Sequence, residues 1–415
     1  MDTSIRMIGS HQLEGKFKLY SDRFISPWSE SKRAKFEITQ TPSNTTRDYL
    51  DALSQATLGI TQPILKEKKE LPFRQLKDEP LFLRQLPDLL AHPSYKPFAW
   101  SSQLFATLLK DQIFITDFEE KNGKLGVRAG FGIPNDGINI GGKHRVLAFS
   151  KNGLAIYIGT KLGAIQTWDL EANKAGSCYG IDGMSGITSI KCLNENIMFA
   201  GNSQGKLFFY DCRVGEGLIN VINGFENGQS IEAIEFNREV SCIVGGGFGT
   251  IKLWDIRKIK TSSNDPIIVY KRFSNESINT LDVCPTNSNL FVAASGNAIS
   301  LYPVYDSIPK NISQTESFVW GANWSSDGKE IVVSQNKGVQ LYRCYSPSRL
   351  KKWTELPMEF NEINFFPVLD PTREKLAIST ITQDYKLVQI WSVFEKQLPQ
   401  SSVFDLGVDR RFIIR

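Results

Sequence analysis

Downstream of about residue 95, hydrophobic and polar positions alternate in short runs, all but the first closing on an aromatic residue, often with Asp after it and a Gly-rich turn before it. The runs are Ile113-Phe114-Ile115-Thr116-Asp117, Ile165-Gln166-Thr167-Trp168-Asp169, Leu207-Phe208-Phe209-Tyr210-Asp211, Ile251-Lys252-Leu253-Trp254-Asp255, Ile299-Ser300-Leu301-Tyr302, Val339-Gln340-Leu341-Tyr342 and Val388-Gln389-Ile390-Trp391. A period of two buries one face of a strand. The aromatic positions recur every roughly 40 to 50 residues, the length of a four-stranded blade. Asn152-Gly153 and Asp327-Gly328 mark hairpin turns, and Phe149, Phe236 and Trp324 are expected to begin the next unit's strand pair. One such sheet cannot bury both faces, whereas stacking the units radially does so and leaves only short edges. The pattern therefore predicts an all-β, seven-bladed β-propeller over residues 95–397.

The two ends lack the repeat. Residues 1–94 are polar and rich in Lys, Glu, Ser and Pro, and are expected to be a largely disordered arm with one short helix near Asp48 to Gly59. Residues 398–415 form a tail beyond the last unit. The chain of 415 residues is 41% hydrophobic and 22% charged, as a folded domain requires. Its 48 basic and 44 acidic residues include no long basic block, so no nucleic-acid partner is inferred. The first residues carry no apolar signal segment, and no apolar run is long enough to cross a bilayer, which argues against a membrane association. Six cysteines lie far apart without ligand spacing to the three histidines, so no metal and no cofactor are expected; they read as buried thiols of a reducing compartment.

Some segments imitate catalytic motifs. Gly201-Asn202-Ser203-Gln204-Gly205 satisfies the GxSxG pattern of a hydrolase elbow, but a strand follows it where the elbow needs a helix. The same turn recurs as Gly159 to Gly163 and Gly245 to Gly249. Gly245-Gly246-Gly247-Phe248-Gly249-Thr250 likewise lacks the helix of a phosphate-binding loop. Asp169, Asp211 and Asp255 recur after the same aromatic position, which fits structural hydrogen bonding. No catalytic residue is assigned, and the chain is not expected to be an enzyme.

The aromatic-Asp units are those of degenerate WD repeats, and the ends extend that likeness. Asp22-Arg23-Phe24-Ile25, followed by Ser26-Pro27, resembles the C-box of the fizzy and fizzy-related activators of the anaphase-promoting complex, usually Asp-Arg-(Phe or Tyr)-Ile-Pro. Asp48 to Gly59 is similar to the family's short helix, and Leu71-Pro72-Phe73-Arg74-Gln75-Leu76 to the Pro-Phe-Lys-Val-Leu before its propeller. Trp391 to Lys396 resembles the exit from the last blade, and the chain finishes Ile414-Arg415, like the family's docking tail. The resemblance implies that Ile414 and Arg415 engage a tetratricopeptide-repeat subunit. It also implies that Asp22, Arg23, Phe24 and Ile25 hold a second subunit, and that the propeller presents degron-bearing cell-cycle substrates for ubiquitination, in mitosis or in meiosis.

Departures from the family concern those degrons. Phe98-Ala99-Trp100 lacks the acidic residue usual before this Trp, leaving Trp100 and Asp384 as possible degron contacts. Gly247-Phe248-Gly249 replaces an Asn-rich turn of the pocket for Lys-Glu-Asn degrons, and Ala294-Ser295-Gly296-Asn297 shortens another turn. Ser26-Pro27 and Thr41-Pro42 are minimal proline-directed phosphorylation sites. Lys32-Arg33-Ala34-Lys35 is a candidate import signal, in keeping with a nuclear and cytoplasmic location. A WDxR-like element, Trp254-Asp255-Ile256-Arg257, leaves a cullin-ligase receptor as one alternative and a scaffold without ligase association as another.

Overall fold

The structure, a computed structural model, describes residues 76–394 except 91–94, 111, 135–143, 181–184, 215–216, 226–227, 238–240, 259–264, 359–362 and 383–384. The short helix expected near Asp48 lies outside them. The chain divides into a unit of Met1–Gln75 and a unit of Leu76–Arg415. The second unit is built of seven four-stranded antiparallel sheets.

The first strand, β1 (Phe82–Gln85), belongs to the last sheet. Blade 1 then runs from the centre outward as β2 (Phe98–Trp100), β3 (Leu104–Leu108), β4 (Gln112–Lys121) and β5 (Lys124–Pro134). Blade 2 is β6 (His144–Phe149), β7 (Ala155–Thr160), β8 (Ile165–Asp169) and β9 (Lys174–Tyr179). Blade 3 is β10 (Ile187–Cys192), β11 (Ile197–Asn202), β12 (Lys206–Asp211) and β13 (Leu218–Asn223). Blade 4 follows as β14 (Ile231–Asn237), β15 (Ser241–Gly246), β16 (Ile251–Asp255) and β17 (Ile268–Val269). Blade 5 is β18 (Ile278–Val283), β19 (Leu290–Ser295), β20 (Ala298–Pro303) and β21 (Asn311–Gln314). Blade 6 is β22 (Val319–Trp324), β23 (Glu330–Gln335), β24 (Gly338–Ser346) and β25 (Arg349–Glu355). Blade 7 comprises β26 (Ile363–Leu369), β27 (Lys375–Ile381) and β28 (Lys386–Ser392), with β1 as its outer strand.

All seven runs of the sequence occupy the same place, the third strand of their blade, with Thr116 in the first where the other six carry Trp or Tyr. Phe149, Phe236 and Trp324 do not begin a strand pair as expected. They stand at or next to the close of the innermost strands β6, β14 and β22, just before the first hairpin. The two hairpins read from sequence share one geometry. Asn152 Oδ1 accepts from Ser150 Oγ and Leu154 N–H, as Asp327 Oδ1 does from Ser325 Oγ and Lys329 N–H. Gly153 and Gly328 take φ of 74° and 66°, a region that costs a side-chain-bearing residue energy.

The seven buried clusters coincide with the seven seams between neighbouring blades. Ala106, Ile115, Ile156 and Trp168, for example, join blades 1 and 2, and Val292, Trp324 and Tyr342 join blades 5 and 6. Because each blade is an unsupported sheet, this seam burial holds the ring together.

One boundary differs from the expectation. The arm was expected to reach residue 94, yet β1 pairs antiparallel with β28, Phe82 opposite Ile390 and Gln85 opposite Leu387. Leu81 and Leu89 are buried in the seam of blades 7 and 1. Phe82-Leu83-Arg84-Gln85 is too short and too polar to announce itself. It becomes a strand because β28 offers a free edge whose backbone groups need partners.

Candidate functional site: the central channel and the seam of the first and last blades

The innermost strands of all seven blades surround a cavity of about 650 Å³. The recurring Gly-x-x-x-Gly turn that imitated a hydrolase elbow helps to set its wall. The first Gly of each copy, Gly159, Gly201 or Gly245, lies where an added Cβ would strike Ile187, Ile231 or Ile278 at the start of the next blade's inner strand. The last Gly, Gly163, Gly205 or Gly249, takes φ of 91°, 80° or 65° to reverse the chain. The motif is thus a contact between blades followed by a tight turn. Ser203 lies in a hairpin whose Asn202 Oδ1 accepts from Gln204 and Lys206 N–H, and the strand β12 follows.

Two ion pairs and a buried lysine stand along the wall. Where the inner strands end, the Arg373 guanidinium meets the buried Asp282 carboxylate through two hydrogen bonds of 2.6 and 2.8 Å, and donates to the Trp324 carbonyl at 2.9 Å. Trp324 N–H donates to the same carboxylate at 2.7 Å. One guanidinium therefore ties blades 5, 6 and 7. Burial pulls the Arg373 pKa down, but the charge and hydrogen bonds of Asp282 outweigh it and raise it. Nearby, Lys191 Nζ is 2.7 Å from Glu235 Oε2 and links blades 3 and 4. Burial again opposes the charge, and Glu235 with Asp282 lifts the Lys191 pKa above its usual value. Where the inner strands begin, Lys96 donates to the Glu232 backbone carbonyl, and burial, aided by Arg145, holds its pKa down against the pull of Glu232.

Aromatic rings fill the seam of blades 7 and 1. Trp100 packs edge-on against Phe105, with ring centroids 5.0 Å apart, and lies 6.4 Å from Phe118, which itself meets Phe82 of β1 at 5.0 Å. Trp100 is half-buried and also lines the channel, while Ala99 is buried in the seam toward blade 2. Of the residues given a partner-binding, degron-binding or phosphorylation role from sequence, Trp100 alone is among the described residues. Asp22, Arg23, Phe24, Ile25, Ser26, Thr41, Asp384, Ile414 and Arg415 lie outside them.

The turn residues of the remaining motifs have structural partners. Asp169 Oδ1 accepts from the backbone N–H of Glu171 and Ala172, and Asp211 and Asp255 hold Arg213 and Arg257 two residues on. Gly247–Gly249 forms a short 3-10 turn with Phe248 at φ 54° and 58% exposed. The expectation of buried thiols holds for Cys192, Cys242 and Cys284, whereas Cys178, Cys212 and Cys344 are half-buried. Sequence reading missed Asp282 and Arg373 because no local pattern ties residues 91 positions apart.

Together, seven radial sheets, a closing strand from the amino-terminal side and aromatic-Asp third strands define a WD-repeat propeller. Over 254 residues the chain is 20% identical to meiotic fizzy-related protein 1 of Schizosaccharomyces pombe, covering 60% of this chain and 57% of that protein. The chain thus spans less than two thirds of the curated relative it matches. A chain in the crystal structure of the mitotic checkpoint complex superimposes with a TM-score of 0.65 at 18% identity, covering 81% of this chain and 100% of that one, and so shares the fold. No protein-family model matches. The chain is a divergent, fizzy-like WD-repeat propeller.

Proposed function

We propose that this protein is a substrate-recruiting activator of the anaphase-promoting complex that performs no chemistry itself, acting in the nucleus and cytoplasm, in mitosis or in meiosis. The observation that carries the reading is the meeting of β1 and β28 in one blade. The described chain begins and ends on blade 7, at Leu76 and Phe394. The described chain therefore enters and leaves the propeller at the same blade, which supports a reading in which segments on both sides of it supply two weak attachments to one large partner. In this reading Arg23 is the charged anchor and Phe24 and Ile25 the apolar ones, while Ile414 and Arg415 engage a tetratricopeptide-repeat subunit. The propeller then holds degron peptides near the ubiquitin-transfer machinery, with Trp100 and Asp384 as contacts, and phosphorylation at Ser26 or Thr41 adds charge beside the arm.

The test is affinity purification of the full chain from dividing and meiotic cells. Anaphase-promoting-complex subunits are expected with the wild type, and their recovery falls on Arg23→Ala or on removal of Ile414-Arg415. Recovery of a cullin adaptor instead, unaffected by either change, would refute the proposal.

A further inference from the structure

We propose that the outer edge of blade 1 is a self-association site, at which Ala129–Ile133 of β5 pairs antiparallel with the same stretch of a second copy of this chain. An outer strand exposes a row of unpaired backbone N–H and C=O groups, and folded proteins blunt such edges by shortening, charging or bulging them. Six blades do so here. β1, β17 and β21 are 4, 2 and 4 residues long. β9 is broken by a register shift between Ala175 and Cys178, β25 carries Arg349, Lys351 and Lys352, and a register shift at Ile219 leaves only Asn220–Asn223 of β13 regular.

β5 differs. It has 11 residues, and every one from Gly126 to Gly132 is exposed. A register shift at Arg128 leaves Ala129–Pro134 regular. The one charge in the exposed stretch, Arg128, is neutralised by Asp117 at 2.5 Å. The Phe114 ring lies where a Gly130 side chain would be, and Gln112 covers the equivalent place at Gly132, so side chains of β4 fill in behind a flat edge. Among the described residues the edge has one backbone partner outside β4, at its start, where Leu125 N–H donates to Leu81 O at 2.9 Å. The chain then leaves at Phe82 for β28, so this segment does not continue along the edge.

The sequence of the open stretch selects the occupant. About a two-fold axis at Phe131, antiparallel pairing sets Gly130 opposite Gly132, Ala129 opposite Ile133 and Arg128 opposite Pro134, with Phe131 facing its own copy. No like charges oppose one another, and the central aromatic pair adds to the backbone bonds. Such a two-fold contact closes on itself and does not propagate. Its small area makes the dimer weak and concentration-dependent. The inference is independent of the proposed ligase role.

The test is sedimentation of the full chain between about 1 and 100 µM, where a shift from monomer to dimer is expected at the upper end. Phe131→Lys places two ammonium groups opposite each other and should raise the dissociation constant at least about tenfold. Directly opposed strand residues have Cα atoms within disulfide range, so Phe131→Cys should cross-link under copper-phenanthroline while Val127→Cys, off the axis, and the wild type do not. The amides of Ala129 to Ile133 in the wild type should gain protection from hydrogen exchange as concentration rises, which needs no substitution. A monomer throughout the range, equal cross-linking at Val127 and Phe131, or edge protection that appears only on adding some other extended peptide would overturn the proposal.

Discussion

Asp282→Ala removes the carboxylate on which three blades converge. The wild-type pair is poorly hydrated, with the Asp282 side chain 3% and the Arg373 side chain 27% exposed. Stranding one member of a fully buried pair costs about 3 to 5 kcal/mol. Arg373 keeps some contact with water and its bond to the Trp324 carbonyl, so the expected loss is nearer about 2 to 4 kcal/mol. Trp324 N–H loses its acceptor in the same change. Arg373→Ala strands Asp282 instead and should cost a similar amount, whereas the double variant leaves neither charge alone. The cycle should therefore show a coupling of about 2 kcal/mol, read from urea unfolding of the four proteins followed by tryptophan fluorescence. Single variants within about 0.5 kcal/mol of wild type, or strictly additive losses, would show that the guanidinium does not tie blades 5, 6 and 7 together.

Deleting residues 1–75 should leave the cooperative unfolding transition intact, whereas deletion through Gln85 removes β1, bares the edge of β28 and should abolish or sharply lower it; calorimetry of both truncations decides. Gly328→Ala should cost about 1 to 3 kcal/mol in chemical denaturation, because the turn holds φ at 66° and the added Cβ meets Thr286 Oγ1 and Cys284 Sγ. Burial holds the His144 pKa below its ordinary value, so the folded state favours the neutral ring. Stability from this residue is therefore complete above the unfolded pKa of about 6.5 and is lost as pH falls from there through the lowered folded value. Melting curves across that window should show the slope, and His144→Gln should flatten it; an unchanged slope would assign the effect to other groups.

The alternation of apolar and polar residues, with an aromatic closing six of the seven runs, was enough by itself to count the blades and to place one strand of each. Over these runs the strand, β4, β8, β12, β16, β20, β24 or β28, is buried or half-buried on both faces by its neighbours, so its composition is constrained there. Hairpin glycines were legible for the same local reason, since a positive φ leaves little choice of residue. The C-box-like segment and the Ile-Arg tail are local patterns of the sequence that lie outside the described residues.

What the tertiary structure decided are the features that depend on partners distant in sequence. Phe82-Leu83-Arg84-Gln85 reads as part of a polar arm, and only the free edge of β28, some 300 residues on, makes it the closing strand. Asp282, Trp324 and Arg373 carry no shared motif and meet only because the ring brings blades 5, 6 and 7 around one channel. Trp100 was singled out as a contact residue, and its packing against Phe105 and Phe118 shows that it also closes the seam between the first and last blades. A chain's local pattern fixes which strands form, because burial of alternate residues is a local requirement. Which edges pair and which charges neutralise one another depends on ring closure, a property of no single segment.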